Sequence, residues 1–153
     1  MTYKVIVDAD ACPVKQEVGQ AAEAFNVPVL MVASYDHRLQ QEKGVEIVQV
    51  DRSDQSVDLY IANHIRQGDV LITQDFGLAA LALGKKAYAM SNRGQLFEEG
   101  MIDFLLARRH EQAKLRRGGK HTKGPKPFTS EDRANFLQSL TKLLSELQEI
   151  GMK

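Results

Sequence analysis

The chain has 153 residues, 43% hydrophobic and 26% charged, the size and composition of one soluble globular domain with a core of its own. No apolar run approaches the roughly 20 residues of a membrane helix, and no charged leader precedes the first apolar run. The single cysteine, Cys12, excludes a disulfide framework and fits a reducing compartment, so the expected location is cytoplasmic, with no membrane partner. The formal charge of zero is divided: residues 1–103 hold nine Lys and Arg against fifteen Asp and Glu, a net of −6, and residues 104–153 hold eleven against five, a net of +6.

In chain order, Lys4–Val7 is a short apolar run that ends at Asp8-Ala-Asp10 and reads as a buried strand. Cys12-Pro13 then opens a helix, with proline at its favoured first position, and Val14, Val18, Ala21, Ala22 and Phe25 form its apolar face. Val27–Val32 is the second strand, Ser34–Lys43 a loop or short helix, and Val45–Val50 a third strand that stops at Asp51. Ser53, Asp54 and Ser56 are candidate caps of a helix running to about Ile65. Asp69–Thr73 is the fourth strand, Phe76–Leu83 a short helix closed by Gly84, and Ala87–Met90 the fifth strand. Strands alternating with helices predict a mostly parallel sheet covered on both faces.

The strands stop after Arg93-Gly94. Gln95–Leu115 reads as one or two helices with a candidate break at Gly100, and the basic, Gly- and Pro-rich stretch at about 116–127 as a loop. Thr129 caps a final helix to about residue 150, whose leucine-rich stripe is expected to be core or a homodimer surface. No internal repeat or second domain is evident, so residues 1–153 are expected to form one domain.

Ligands of parallel α/β sheets bind outside the carboxyl ends of the strands. Those ends carry Asp8 and Asp10, Asp51 and Asp54, and Asp75, with Ser91, Asn92 and Arg93 after the fifth. If the chain stays extended, Asp8 and Asp10 share one face. Asp58 lies one turn into the following helix. Clustered carboxylates repel unless protonated or bridged by a cation, and oxygen-only ligands suit Mg²⁺ or Mn²⁺ better than zinc. Asp69, after Gly68, is expected to make a turn at the opposite edge, and Cys12 to be a small buried residue. Between Arg108 and Lys126, eight Lys and Arg face only Glu111; Arg116, Arg117, Lys120 and Lys123 are candidate phosphate contacts.

Four motifs, Asp8-Ala-Asp-Ala-Cys-Pro-Val14, Gly68-Asp-Val-Leu-Ile-Thr-Gln-Asp75, Asn92-Arg-Gly94 and Thr122-Lys-Gly-Pro-Lys-Pro-Phe128, together resemble the bacterial YaiI/YqxD family along essentially the whole chain. That family is grouped with PIN-like domains, whose better-known members are Mg²⁺- or Mn²⁺-dependent ribonucleases. The resemblance implies a PIN-like three-layer α/β/α sandwich with a C-terminal helix. It also implies that Asp8 and Asp75 are metal ligands, with Thr73-Gln-Asp75 similar to the Thr-x-Asp of those enzymes and Asp58 to their helix-borne acid. Asp10 and Cys12 belong to this family's own motif, and no fourth acid follows Asp75, where Phe76-Gly77 stand.

The expectation is thus a metal-dependent nuclease acting on RNA, with Asp8, Asp10, Asp58 and Asp75 arranging metal and water, and Thr73, Asn92, Arg93 and the basic segment holding substrate. Two alternatives stand beside it: a non-catalytic domain that binds RNA or protein, and a phosphatase of haloacid-dehalogenase type suggested by Asp8-x-Asp10. The second asks for a Gly-Asp motif after a late strand, whereas Gly68-Asp69 precedes one.

Overall fold

The computed structural model describes residues 3–34, 42–51, 56–119 and 127–151. Five strands, β1 (Val5–Asp8), β2 (Val29–Ser34), β3 (Val45–Val50), β4 (Val70–Ile72) and β5 (Tyr88–Met90), form one sheet in the order β3-β2-β1-β4-β5. Every neighbouring pair is parallel; β1 takes Val5 beside Val29 on one side and beside Val70 on the other. The helices are α1 (Lys15–Ala24), α2 (Ser56–His64), α3 (Phe76–Gly84), α4 (Glu99–Arg117) and α5 (Ser130–Gly151).

Alternation along the strands sorts the core into two layers. Val5, Val7, Met31, Val70 and Ile72 pack with Val18 and Ala22 of α1 and Phe136, Leu140 and Leu144 of α5. Ile6, Leu30, Val32 and Leu71 pack on the other face with Ile61 of α2, Leu78 and Ala82 of α3, and Ile102 of α4. The molecule is therefore a three-layer α/β/α sandwich with a parallel central sheet and a C-terminal helix, as expected. The leucine-rich stripe of α5 is core: Phe136, Leu140, Leu143 and Leu144 are buried, while Ile150 at its end is exposed.

Several boundaries differ from the sequence expectation. The first helix starts at Lys15, because residues 9–11 make a 3-10 turn before it. Gly100 breaks nothing; α4 is continuous and runs through Arg117 to a cap at Gly118, so Arg116 and Arg117 are helical rather than loop residues. Thr129 and Asp132 cap α5 reciprocally, the Asp132 N–H donating to Thr129 Oγ1 at 3.1 Å and the Thr129 N–H to Asp132 Oδ2 at 3.0 Å. The amino edge is closed by Asp69, 2% exposed, which accepts from the Lys4 N–H (3.1 Å), the Lys4 ammonium (3.0 Å) and the Arg66 N–H (2.8 Å). Asp69 is thereby fixed at the end of the sheet remote from the other acids, which removes the Gly-Asp element a haloacid-dehalogenase-type site needs. Among the described residues, no helix is long and apolar enough to cross a membrane.

Candidate functional site

The strand order reverses at β1, which pairs β2 on one side and β4 on the other. A crevice opens at such a switch point, outside the carboxyl ends. Asp8 ends β1, and Asp75 caps α3 just beyond β4, its carboxylate accepting from the Leu78 N–H at 3.1 Å. Between them lies Thr73, 1% exposed. Its hydroxyl donates to Asp8 Oδ2 at 3.1 Å and accepts from the Asp75 N–H at 3.0 Å, so one side chain sets both acids.

Asp58, on the first turn of α2, completes the group. Its pKa is raised to about 6, by desolvation first, then by the charge of Asp75, a hydrogen bond shared with the Asp75 side chain, and the charge of Asp8. Asp8 is also raised, mainly by burial, with Asp10 and Asp75 adding repulsion and the Thr73 hydrogen bond opposing both. The cluster thus holds more negative charge than its surroundings solvate, which favours the protonated form of Asp58.

The other expected residues fall in different places. Asp10 does not extend along β1: the 3-10 turn swings it toward β2, where its carboxylate accepts from the Ser34 N–H at 2.8 Å. It remains close enough to raise the Asp8 pKa, but it also pins the end of β2. Asp51 is exposed just past the end of the edge strand β3, two strands from β1 and so about 10 Å away by strand spacing alone. Asp54, Lys120 and Lys123 lie outside the described residues. Cys12 is 6% exposed with its thiol pushed up to about 11 by burial, unsuited to nucleophilic attack.

Asn92 is buried after β5, its N–H donating to Gln74 Oε1 at 2.8 Å, and Arg93 stands 3.8 Å from Asp132 with its guanidinium 5.9 Å from the Phe128 ring centre. Sequence reasoning missed Gln74, which fastens the turn after β5 to the end of β4. It also missed Arg133, which donates to the Pro13 carbonyl at 2.5 Å and to Glu17 at 3.2 Å. Lys15 donates to the Cys12 carbonyl at 3.0 Å. Lys15, Arg93 and Arg133 all lie toward the α1/α5 side of the carboxyl edge, and only the strand-end position of Arg93 was legible beforehand.

The donors available to a cation are hard carboxylate oxygens, the set that Mg²⁺ or Mn²⁺ prefers over zinc. In chemistry and excess charge the residues fit such an ion. In position they stand as an Asp58–Asp75 pair joined by a side-chain hydrogen bond plus an Asp8 held by Thr73: among the described residues, no three Asp, Glu, His or Cys side chains are disposed to hold one ion together.

Fold and site define a parallel α/β domain with an acidic cluster at its topological switch point. Residues 6–146 match the model of the family described as "Uncharacterized BCR, YaiI/YqxD family", and the chain belongs to that family. It is 48% identical to a UPF0178 protein of Halalkalibacterium halodurans over 94% of this chain and 91% of that one. It is also 48% identical to a UPF0178 protein of Bacillus velezensis, over 96% and 88%. Among solved structures, Rae1 (YacP) from Bacillus subtilis, as its W164L mutant, is similar with a TM-score of 0.41 and 15% identity over 95% of this chain and 98% of that one, a likeness too remote to carry an argument.

Proposed function

We propose that this protein is a PIN-like, Mg²⁺- or Mn²⁺-dependent hydrolase of phosphodiester bonds in RNA. The observation that carries this reading is the convergence of Asp8, Asp58 and Asp75, from three elements, into one cluster whose burial, and then mutual repulsion, raises the pKa of Asp8 and of Asp58. When bound, a divalent cation supplies charge neutralisation for a phosphodiester and lowers the pKa of its water. Asp8, Asp58 and Asp75, with Asp10 beside them, are the residues that would supply its oxygens, and they would have to draw together around it, since as placed no three of them are disposed to hold one ion. Thr73 keeps Asp8 and the Asp75 backbone in register, and the Leu78 N–H orients the Asp75 carboxylate.

Nucleic acid is favoured as partner by α4. Only Ile102 of this helix is buried, and beyond Leu105 only Gln112 is even half-covered. That projecting half carries Arg108, Arg109, Lys114, Arg116 and Arg117 against Glu111, a charge density suited to phosphates. RNA rather than DNA is carried only by the resemblance to ribonucleases.

The test is a melting experiment with MnCl₂ and EDTA, paired with an RNA cleavage assay. At 100 times its Kd a native-state ligand adds ~2.7 kcal/mol, or roughly 5–11 °C for a chain of this size. Asp8→Asn with Asp75→Asn should abolish both shift and cleavage while preserving the fold, since Asn caps a helix as well as Asp. An unchanged shift in the double variant, or RNA left intact by the wild type in Mn²⁺, refutes the proposal.

A further inference from the structure

The helix α4 has 19 residues and is about 28 Å long, yet it buries one side chain, Ile102, in the layer shared with α2 and α3. Helices in water gain most of their stability by burying a face, so a helix of this length with so little covered lacks a partner along most of its surface. Phe104 is 65% exposed and Leu115 42%. With the exposed Arg108 and Glu111 between them, they stand at i, i+4, i+7 and i+11, the spacing that lays four side chains along one stripe. Among the described residues, neither Arg108 nor Glu111 has an ion-pair partner. Leu106, two residues from Phe104, falls on the opposite side of the helix.

This stripe is its own complement. Turned end for end about the point between Arg109 and His110, its order of apolar, cationic, anionic and apolar groups meets apolar, anionic, cationic and apolar ones. Phe104 then stands opposite Leu115 of a second copy, and Arg108 opposite Glu111 of that copy, each contact made twice across a two-fold axis. The helix ends agree with this pairing. Glu98, Glu99 and Asp103 at the start of one helix run beside Lys114, Arg116 and Arg117 at the end of the other, and the half-charges of the two helix dipoles are opposite in sign at each end. A parallel pair would set Arg108 on Arg108 and basic end on basic end. A phosphate backbone suits the cations off the stripe, whereas a carboxylate between two apolar side chains suits protein.

We propose that the Phe104, Arg108, Glu111 and Leu115 stripe of α4 is a homodimer interface, along which two copies of this chain pair antiparallel across a two-fold axis. This goes beyond the hydrolase reading and does not rest on it. Two large apolar side chains from each copy make an interface at the low end of specific ones, below ~1,200 Å², so the dimer dissociates on dilution. Arg109 and Arg117 lie off the stripe, and the pairing brings two basic helices together without using those cations.

The test is analytical ultracentrifugation of the full chain, freed of nucleic acid and kept in EDTA, from about 1 to about 300 μM, the range in which a small interface titrates. Wild type should move from 17.1 kDa towards twice that mass as concentration rises. Arg108→Glu alone and Glu111→Arg alone each set like charges opposite one another twice per dimer, and each should weaken association by roughly tenfold or more. An equimolar mixture of these two single variants restores both ion pairs and should associate at least as tightly as wild type. The double reversal, Arg108→Glu with Glu111→Arg in one chain, should recover the dimer for the same reason. Both positions are exposed, and an unchanged circular dichroism spectrum verifies the fold of each variant. Wild type that stays at 17.1 kDa throughout overturns the proposal. So does a dimer indifferent to either single reversal, a mixture no more associated than its parts, or association that appears only when RNA is added to bridge two copies. None of these outcomes bears on RNA cleavage in Mn²⁺, which decides the hydrolase reading separately.

Discussion

Asp58→Asn isolates the electrostatic strain of the cluster. Asp58 rises from an ordinary value of 3.8 to about 6, so the folded protein holds a proton there that the unfolded chain releases near pH 4. The native state then binds more protons between about pH 4 and 6, and stability falls as pH rises through that window. A shift of about two units converts directly to ~3 kcal/mol, but Asp58 is only half-buried, and solvent screening reduces the figure to ~1 kcal/mol. Asparagine is neutral at every pH and can still donate to Asp75. In EDTA, therefore, Asp58→Asn should melt roughly 2–4 °C above wild type at pH 8 and close to it at pH 4. Using the difference between the two proteins cancels the titration of every group away from the cluster. A variant less stable than wild type at pH 8, or an offset independent of pH, would refute the account of Asp58 as a carboxyl strained by burial and by Asp75.

Two further outcomes follow from the same structure. Asp69→Ala leaves the Lys4 and Arg66 N–H groups without their acceptor and the Lys4 ammonium with only the His64 carbonyl, and should cost about 3 kcal/mol, a fall in melting temperature of roughly 6–12 °C; a loss below ~1 kcal/mol would show that water replaces the carboxylate. Neutralising Arg108, Arg109, Arg116 and Arg117 together should flatten the salt dependence of single-stranded RNA binding by about 0.7 log units for each phosphate that loses its cation, leaving the Mn²⁺ melting shift intact; weaker affinity at an unaltered slope would mean that α4 does not touch phosphate.

Among the described residues, short apolar runs placed the five strands and helical spacing the helices, because strands buried on both faces and helices buried on one are both written locally. Asp8 and Asp75 were legible as strand-end acids for the same reason. Asp10 was not, since a three-residue 3-10 turn redirects it to an interaction with Ser34 that is 24 residues distant. Nor did the sequence mark Gln74 or Arg133: their partners, Asn92 and Pro13, are joined to them only through sheet order and the packing of α1 on α5. The end of α4 was misjudged because its last turns bury almost nothing, so no apolar rhythm distinguishes helix from loop there.

The central position of β1 also fixes when, during folding, the acidic cluster can exist. Its pairing with β2 closes a loop of about 24 residues, whereas its pairing with β4, which brings Thr73 to Asp8, spans 65. Closing the longer loop costs about 0.9 kcal/mol more in chain entropy, and a nascent chain that ends before β4 has β1, β2 and β3 but neither Thr73 nor Asp75. Partly folded forms with only the β1–β2–β3 half of the sheet thus contain Asp8 and Asp10 without a site. A ligand of the cluster can recognise only chains that have made their longest-range strand pairing, and its binding acts as a report that the sheet is whole.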